Sequence, residues 1–412
     1  MSRAKIAAAA LPSMLLAPLV PFVMASCAET DDARPSEEDA SSIIQPPDVD
    51  ASASDASDAG PSCDAGDPGC VSKLLTCEEA DFCPVPSAVD RRYVLTAVWG
   101  SGAKDVWAVG SGGTITHWDG AAWKLVPSST TDTFHAVWGS SASDVWVAGS
   151  SVTLLHGAGY SGGGGAWTPA PAFSAEEVDY VYPGRVHAVW GANAADVRVG
   201  GAPFGADTPD GMISGNLLRR ASADAGGGAG WEVLSGLDGR WHDATARAIW
   251  GSSARDVWIA LDNGNAEPWA RGTIAHGTAS AAGDPLTWTA VDSKSTAPLE
   301  SIWGSGAKDV WAVGGGGIVR RFTGGASFAI VDGVPTTEAL HGVWGSGPND
   351  VWVVGDSGTI LHFDGAAWSE ATAAFPLGKK PDLKAVWGSG PNDVWVVGDA
   401  FALHFTGKKA GR

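Results

Sequence analysis

The dipeptide Trp-Gly, followed by an aspartate six residues after the tryptophan, recurs seven times along this 412-residue chain. The tryptophans are Trp99, Trp138, Trp190, Trp250, Trp303, Trp344 and Trp387, and the aspartates are Asp105, Asp144, Asp196, Asp256, Asp309, Asp350 and Asp393. A fixed local offset inside a spacing of 39 to 60 residues marks one supersecondary unit repeated with insertions. The copy Leu340–Trp368, LHGVWGSGPNDVWVVGDSGTILHFDGAAW, holds three or four short β-like runs parted by glycine turns. A unit this short cannot bury its own apolar face, so the copies must pack on one another. The pattern predicts an all-β chain with almost no helix: a seven-bladed β-propeller of four-stranded blades over residues 91–407.

The unit reads as follows. The first strand runs through the marker tryptophan. Four residues before the tryptophan stands a large apolar residue, except for Ala246 in the fourth copy, and two before it a small one. Small residues fit where blades crowd together, so this strand is expected to be innermost. The aspartate closes a turn by bonding local backbone N–H groups. A second strand, VWVVG, and a third, GTILHF, follow, and an Asp-Gly turn leads to a fourth strand that opens with tryptophan. These positions account for nineteen of the 21 tryptophans, which are therefore read as packing. The seventh copy ends at Phe405-Thr406-Gly407 without a fourth strand. The stretch before the first copy, near Pro84–Val94 at the end of the cysteine-containing segment 63–90, is expected to supply it.

Through WGSGxxDVWxVG and GTILHxDGxxW, residues 91–412 resemble the tryptophan-rich propeller repeats of bacterial surface lipoproteins. Val354–Ile360, VGDSGTI, is loosely similar to the Asp-box propellers of the sialidase and photosystem-assembly-factor type, without their trailing tryptophan. The paired GH and WD signature of WD40 propellers is absent. The resemblance implies a fold and a cellular location and no specific activity.

The N-terminus carries its own signal. Arg3 and Lys5 precede an apolar run, Ile6–Val23, broken by three prolines. That reads as a secretory signal over residues 1–26 and not as a spanning helix. It ends in Met24-Ala25-Ser26-Cys27, which resembles a bacterial lipobox. The resemblance implies acylation of Cys27 and display at the outer membrane or cell surface, with the lipid as the only membrane contact. Residues 28–90 hold −14 of the net charge of −20. The Asp/Ala/Ser-rich stretch 27–62 has too few apolar groups to offset chain entropy and is expected to be a disordered tether, with a reach of roughly 30–35 Å. No basic stripe exists, which argues against nucleic acid. Cys63, Cys70, Cys77 and Cys83 lack a CxxC knuckle and sit in an exported chain, so they are expected to form two disulfides, with all three connectivities open.

Reactive chemistry is sparse. Five histidines (His117, His156, His276, His362, His404) end third strands, and three (His135, His187, His341) stand three residues before a marker tryptophan. A repeat spreads such residues around a ring, so neither a metal site nor a catalytic set is expected, and no cofactor. No GxSxG, HExxH, P-loop or EF-hand motif is present. Arg198, Arg219, Arg220 and Arg247 are not aligned by any sialidase pattern. The insertions Pro171–Arg185, Gly201–Gly211, Gly236–Thr245 and Leu261–Arg271 fall in consecutive copies, on loops that share one face of a propeller. They carry the two tryptophans outside the repeat, Trp241 and Trp269, expected to form one aromatic platform, with Tyr180, Tyr182, His242, Asp243 and Arg271 nearby. Beside them the position three before each marker (Thr96, His135, His187, Arg247, Glu300, His341, Lys384) should ring the channel mouth. The reading is a monomeric, non-catalytic binding scaffold for a protein or glycan of the cell envelope. A carbohydrate-active or lectin-like propeller is the alternative.

Overall fold

The structure, a computed structural model, describes residues 69–173, 180–208, 211–220, 230–234, 241, 243–264, 272–281, 283–399 and 401–407. The signal and tether, with Cys27 and Cys63, lie outside the described residues. Seven antiparallel four-stranded blades follow one another in chain order as a propeller, and the third carries a short fifth strand, Tyr180–Tyr182. The sixth is the plainest: Leu340–Gly347, Asp350–Gly355, Ile360–Phe363 and Trp368–Glu370. The first strands pack against one another around the ring, the seventh against the first. The only helical turns among the described residues are two short 3-10 turns, Ser111–Gly113 and Gly315–Gly317.

The Trp-Gly dipeptide has a direct physical cause. Each marker indole lies against the glycine of the next copy. A Cβ on Gly345 would stand 2.7 Å from Trp303 Cη2 and 2.5 Å from the Asp350 carbonyl. The same contact joins Trp99 to Gly139, Trp138 to Gly191, Trp190 to Gly251, Trp250 to Gly304 and Trp344 to Gly388. Trp387 closes the circle on Gly100, 2.7 Å from the added Cβ. The small residue two before the tryptophan is explained likewise, since a Cβ on Gly342 would lie 3.1 Å from the Ala385 backbone of the neighbouring blade.

A second aromatic layer lies further out. The second-strand tryptophan meets the fourth-strand aromatic of the next blade edge to face: Trp107 with Trp167 at 5.3 Å, Trp146 with Trp231 at 5.5 Å, Trp311 with Trp368 at 5.9 Å and Trp395 with Trp123 at 5.1 Å. Burial of one such ring contributes about 4–6 kcal/mol of transfer free energy as an upper limit.

The marker aspartate does more than shape a turn. In most first strands two residues oppose one partner residue between the marker glycine and the end of the strand, as at Gly100–Gly102. That bulge presents Ser101 to Asp105, 2.5 Å away, and the third strand brings His117 to the same carboxylate at 2.6 Å. The set recurs as Ser252–Asp256–His276 and Ser389–Asp393–His404. The histidine also stacks on the second-strand tryptophan, His276 on Trp258 at 3.7 Å and His404 on Trp395 at 4.0 Å. Burial would raise the carboxyls of Asp105, Asp256 and Asp393, but the hydrogen bonds from histidine and serine outweigh it and hold them below their ordinary value. In blade five Arg321 replaces the histidine, reaching Asp309 at 2.7 Å and lying 4.4 Å over Trp311.

Blade seven takes its fourth strand from before the first copy. Cys83–Val85 pairs antiparallel with Ala402–His404. Phe82 just ahead of it is fully buried and meets Trp352 edge to face at 5.3 Å, filling the fourth-strand aromatic position of that blade. Asp81 accepts from Thr372 N at 2.8 Å and Thr372 Oγ1 at 2.7 Å, which ties the segment to blade six. A Cys77–Cys83 disulfide anchors its start. Cys70 is disulfide-bonded as well, and the strand Cys70–Val71 pairs with Gly378–Lys379.

Two outcomes follow in urea-melting experiments. Gly345→Ala should lose about 1–3 kcal/mol, whereas Gly347→Ala, whose Cβ meets nothing within 4 Å, should stay within about 0.5 kcal/mol of the parent. Phe82→Ala should lose about 3–5 kcal/mol; a loss below about 1 kcal/mol would mean that the segment does not close the ring.

Candidate ligand site at the channel mouth

Register decides which side chains reach the channel. In six blades the first strand carries a bulge at its entry, where Leu95 faces Gly110 and Ala97 faces Val109, so Thr96 has no partner of its own. The same two-against-one pairing falls at His187, Arg247, Glu300, His341 and Lys384. A bulge releases its extra residue from the pleat and re-aims the side chain. These six residues and His135 of blade two line one open cavity of about 370 Å³ at the channel. It lies at the strand ends where each blade is entered and where second strands turn into third strands. The described part of the Gly201–Gly211 insertion leaves from the same end.

The ring is electrostatically divided. His135 and His187 stand side by side with ring centroids 5.9 Å apart. Burial first, then the charges of Arg247, His135 and Arg185, push His187 down to about 4. Burial and Arg185 lower His135 too. Both are therefore neutral at pH 7 and offer hydrogen bonds without charge. Arg247 donates to Asp262 at 2.7 Å and lies 3.6 Å from Glu300. On the far side Asp356 accepts from His341 at 2.7 Å and from Lys384 at 3.2 Å, and Lys384 lies 3.6 Å from Asp382. Burial would raise Asp356, but its hydrogen bonds with His341 and Lys384 and the Lys384 charge outweigh it and lower its carboxyl. The ring thus presents neutral imidazoles on blades two and three and paired, half-buried charges on blades four to seven.

Of the residues singled out from the insertions, Trp241, Asp243, Tyr180 and Tyr182 are among the described ones. Trp241 is 6% exposed and packs in the core between blades three and four with Trp190, Leu217 and Ile249. The buried Asn216 amide holds that loop down by donating to the Trp241 carbonyl at 2.8 Å and the Ala244 carbonyl at 2.7 Å. An exposed platform built on Trp241 is therefore not what the structure shows. Asp243 beside it is exposed. Tyr180 and Tyr182 lie on a short strand, Tyr180–Tyr182, that pairs with the extended second strand of blade three. Tyr182 is 48% exposed, with its hydroxyl 3.4 Å from Asp207. His242, Trp269 and Arg271 lie outside the described residues. Of the four arginines, Arg247 faces the channel, Arg198 and Arg219 share Asp196, and Arg220 lies 5.0 Å over Trp146.

Sequence reasoning missed Asp262, Asp356, Asp382 and Arg185, which set the charge of the ring. A signal existed for Asp356, the residue after the glycine that ends the second strand, because antiparallel pairing returns that end to the entry of the first strand. Among the described residues no group of three or more His, Cys, Asp or Glu gathers to hold a metal ion.

No family model and no curated protein matches this chain. Among solved structures it is similar to "YCF48 bound to D1 peptide", at 14% identity and a TM-score of 0.55, covering 82% of this chain and 99% of that one. It is similar to YCF48 from Cyanidioschyzon merolae at 17% identity and a TM-score of 0.54, covering 79% of this chain and 98% of that one. The WD40 propeller domain of Doa1 is similar at 11% identity and a TM-score of 0.54, covering 78% and 95%. These are likenesses of fold.

The lowered histidine gives a pH prediction. A His187 whose folded value lies near 4 binds its proton better in the unfolded chain. Its contribution to stability is full above the ordinary histidine value and is lost as pH falls through about 4. His187→Gln should flatten the decline in stability between neutral pH and that value in urea melts. An unchanged slope would contradict the burial of a neutral imidazole.

Proposed function

We propose that this protein is a non-catalytic binding scaffold that receives a protein segment at the channel mouth. The observation that carries this reading is the convergence of one re-aimed polar side chain from nearly every blade on a single open cavity. The charges there are already paired, as in Arg247–Asp262 and Lys384–Asp356. Such pairs suit orientation and selection of a partner more than proton transfer. Similarity to a propeller whose solved structure holds a peptide supports a polypeptide ligand. Tyr182 supplies an exposed aromatic on the same face.

The location belongs to the same proposal. The lipobox-like Met24–Cys27 and the acidic stretch after it support a chain anchored by acylated Cys27 and displayed from the bacterial outer membrane or cell surface. Cys27→Ser should move the protein from the detergent-extracted membrane fraction to the soluble fraction, and retention in membranes would refute the anchor.

Affinity capture from envelope extracts tests the scaffold. The wild-type chain should retain a protein partner, and Arg247→Ala/Lys384→Ala should weaken capture by tenfold or more. Lys104→Ala and Lys308→Ala, on turns at the opposite strand ends, should leave it unchanged. Loss in the lysine set alone would reverse the assignment of the face. Binding to a glycan array with no captured protein would replace the polypeptide ligand with a carbohydrate.

A further inference from the structure

Blade three breaks the repeat at a point where every other blade keeps it. Six second strands carry a tryptophan two residues after the marker aspartate, and blade three carries Arg198. The indole normally fills the crease between its own blade and the fourth-strand aromatic of the next one. Here that aromatic is Trp288 of blade four, and between it and Arg198 lies a cavity of about 210 Å³. One wall is cationic, with Arg198, Arg219 and Arg255; the other is apolar, with Leu234, Leu286 and Trp288. The cavity sits beside the Ser253–Arg255 turn, at the strand ends opposite the channel mouth.

Arg198 is held but not satisfied. Its side chain is 3% exposed. Nη2 donates to Asp196 Oδ1 at 3.1 Å and to the Ala254 carbonyl at 2.9 Å. Nε and Nη1 are buried with no hydrogen-bond partner among the described residues, and the guanidinium lies 5.6 Å over the Trp190 ring. Asp196 also takes Arg219 Nε at 2.9 Å on the same Oδ1, and Glu232 lies 3.7 Å from Arg219 Nη1. Asp284, at the edge of the cavity, is engaged by the Ala281 N–H at 2.9 Å. Unpaired charged N–H groups in a buried crease are costly, and an anion entering beside them would relieve that cost once the guanidinium turns toward it. Blade five shows that the repeat can absorb an arginine without leaving such groups. Arg321 there reaches Asp309 and the Pro348 carbonyl while lying over an intact Trp311.

We propose that the cavity between blades three and four is a binding site for a carboxylate that carries an apolar group. Arg198 and Arg219 take the carboxylate, and the apolar group packs against Trp288 and Leu286. The volume suits a small molecule or the last residue of a peptide. The two sources share this chemistry, and the choice of probes separates them.

Calorimetric titration of the full chain at neutral pH tests the site with phenylacetate, N-acetylphenylalanine and N-acetylphenylalanine amide. Either acid should saturate one site with a Kd of roughly 1 mM or tighter. The amide should bind at least tenfold more weakly. A tighter N-acetylphenylalanine assigns the site to a peptide C-terminus, and a tighter phenylacetate to a free small acid. Arg198→Trp restores the residue found in the other six blades and reproduces the Asp/Trp/Arg set of blade five. It should fold with an unchanged circular dichroism spectrum and lose binding at least tenfold. Arg219→Gln, which keeps the cavity, should weaken binding several-fold and keeps the test open if the first variant folds poorly. Absence of saturation by either acid overturns the proposal, as does wild-type affinity in both variants. Equal affinity for the acid and the amide, or for inorganic sulfate, overturns it too.

Discussion

Each marker indole rests on the glycine of the next blade, and that contact is closed on itself. Trp387 of the last copy meets Gly100 of the first, so the ring has no free end at its inner layer. The contact tolerates no Cβ and works only with a large flat ring on one side and bare backbone on the other. That is why the two residues travel together as a dipeptide and why their spacing to the aspartate does not vary. The outer layer repeats the logic with edge-to-face aromatics, and there the circle is completed by Phe82 against Trp352. A closed ring leaves each blade buried on both faces, which a linear stack cannot do for its ends.

Two bulges, both present in six of the seven first strands, divide the labour of that ring. The one beyond the marker glycine delivers a serine to the marker aspartate, where histidine from the third strand joins it; these groups knit strands within a blade. The one at strand entry releases a residue from the pleat into the channel. The same backbone irregularity thus produces a uniform structural network at one end of the strands and a variable chemical surface at the other. Uniform positions carry packing: Ser, Asp, His and Trp recur there with few departures. Variable positions carry selection: Thr96, His135, His187, Arg247, Glu300, His341 and Lys384 share a place and differ in charge.

The legibility of the chain follows the range of the interactions. Blade number and strand order could be read because the Trp-Gly contact recurs at every copy and marks its own position. The ring at the channel mouth could be read as a set of positions for the same reason. Its electrostatics could not, since Asp262, Asp356, Asp382 and Arg185 reach it from other strands and connections. Trp241 shows the opposite limit. Lying outside the repeat, it read as an exposed aromatic, but Asn216, 25 residues earlier, draws its loop onto the blade and buries the ring. Arg198 was visible as a departure from the pattern. That the departure opens a cavity walled by Trp288 and Arg255 depends on the neighbouring blade and has no local signature.

Closure of the seven blades by a strand from before the first copy is what sets seven side chains around one mouth. Native-state hydrogen exchange read by mass spectrometry tests it most directly. Amides of Cys83–Val85, apart from Pro84, and of Ala402–Phe405 should exchange as slowly as those of Asp350–Gly355 in the core of blade six. Fast exchange at Cys83–Val85 with continued protection of Ala402–Phe405 would show that blade seven stands without that strand and would contradict the closed ring.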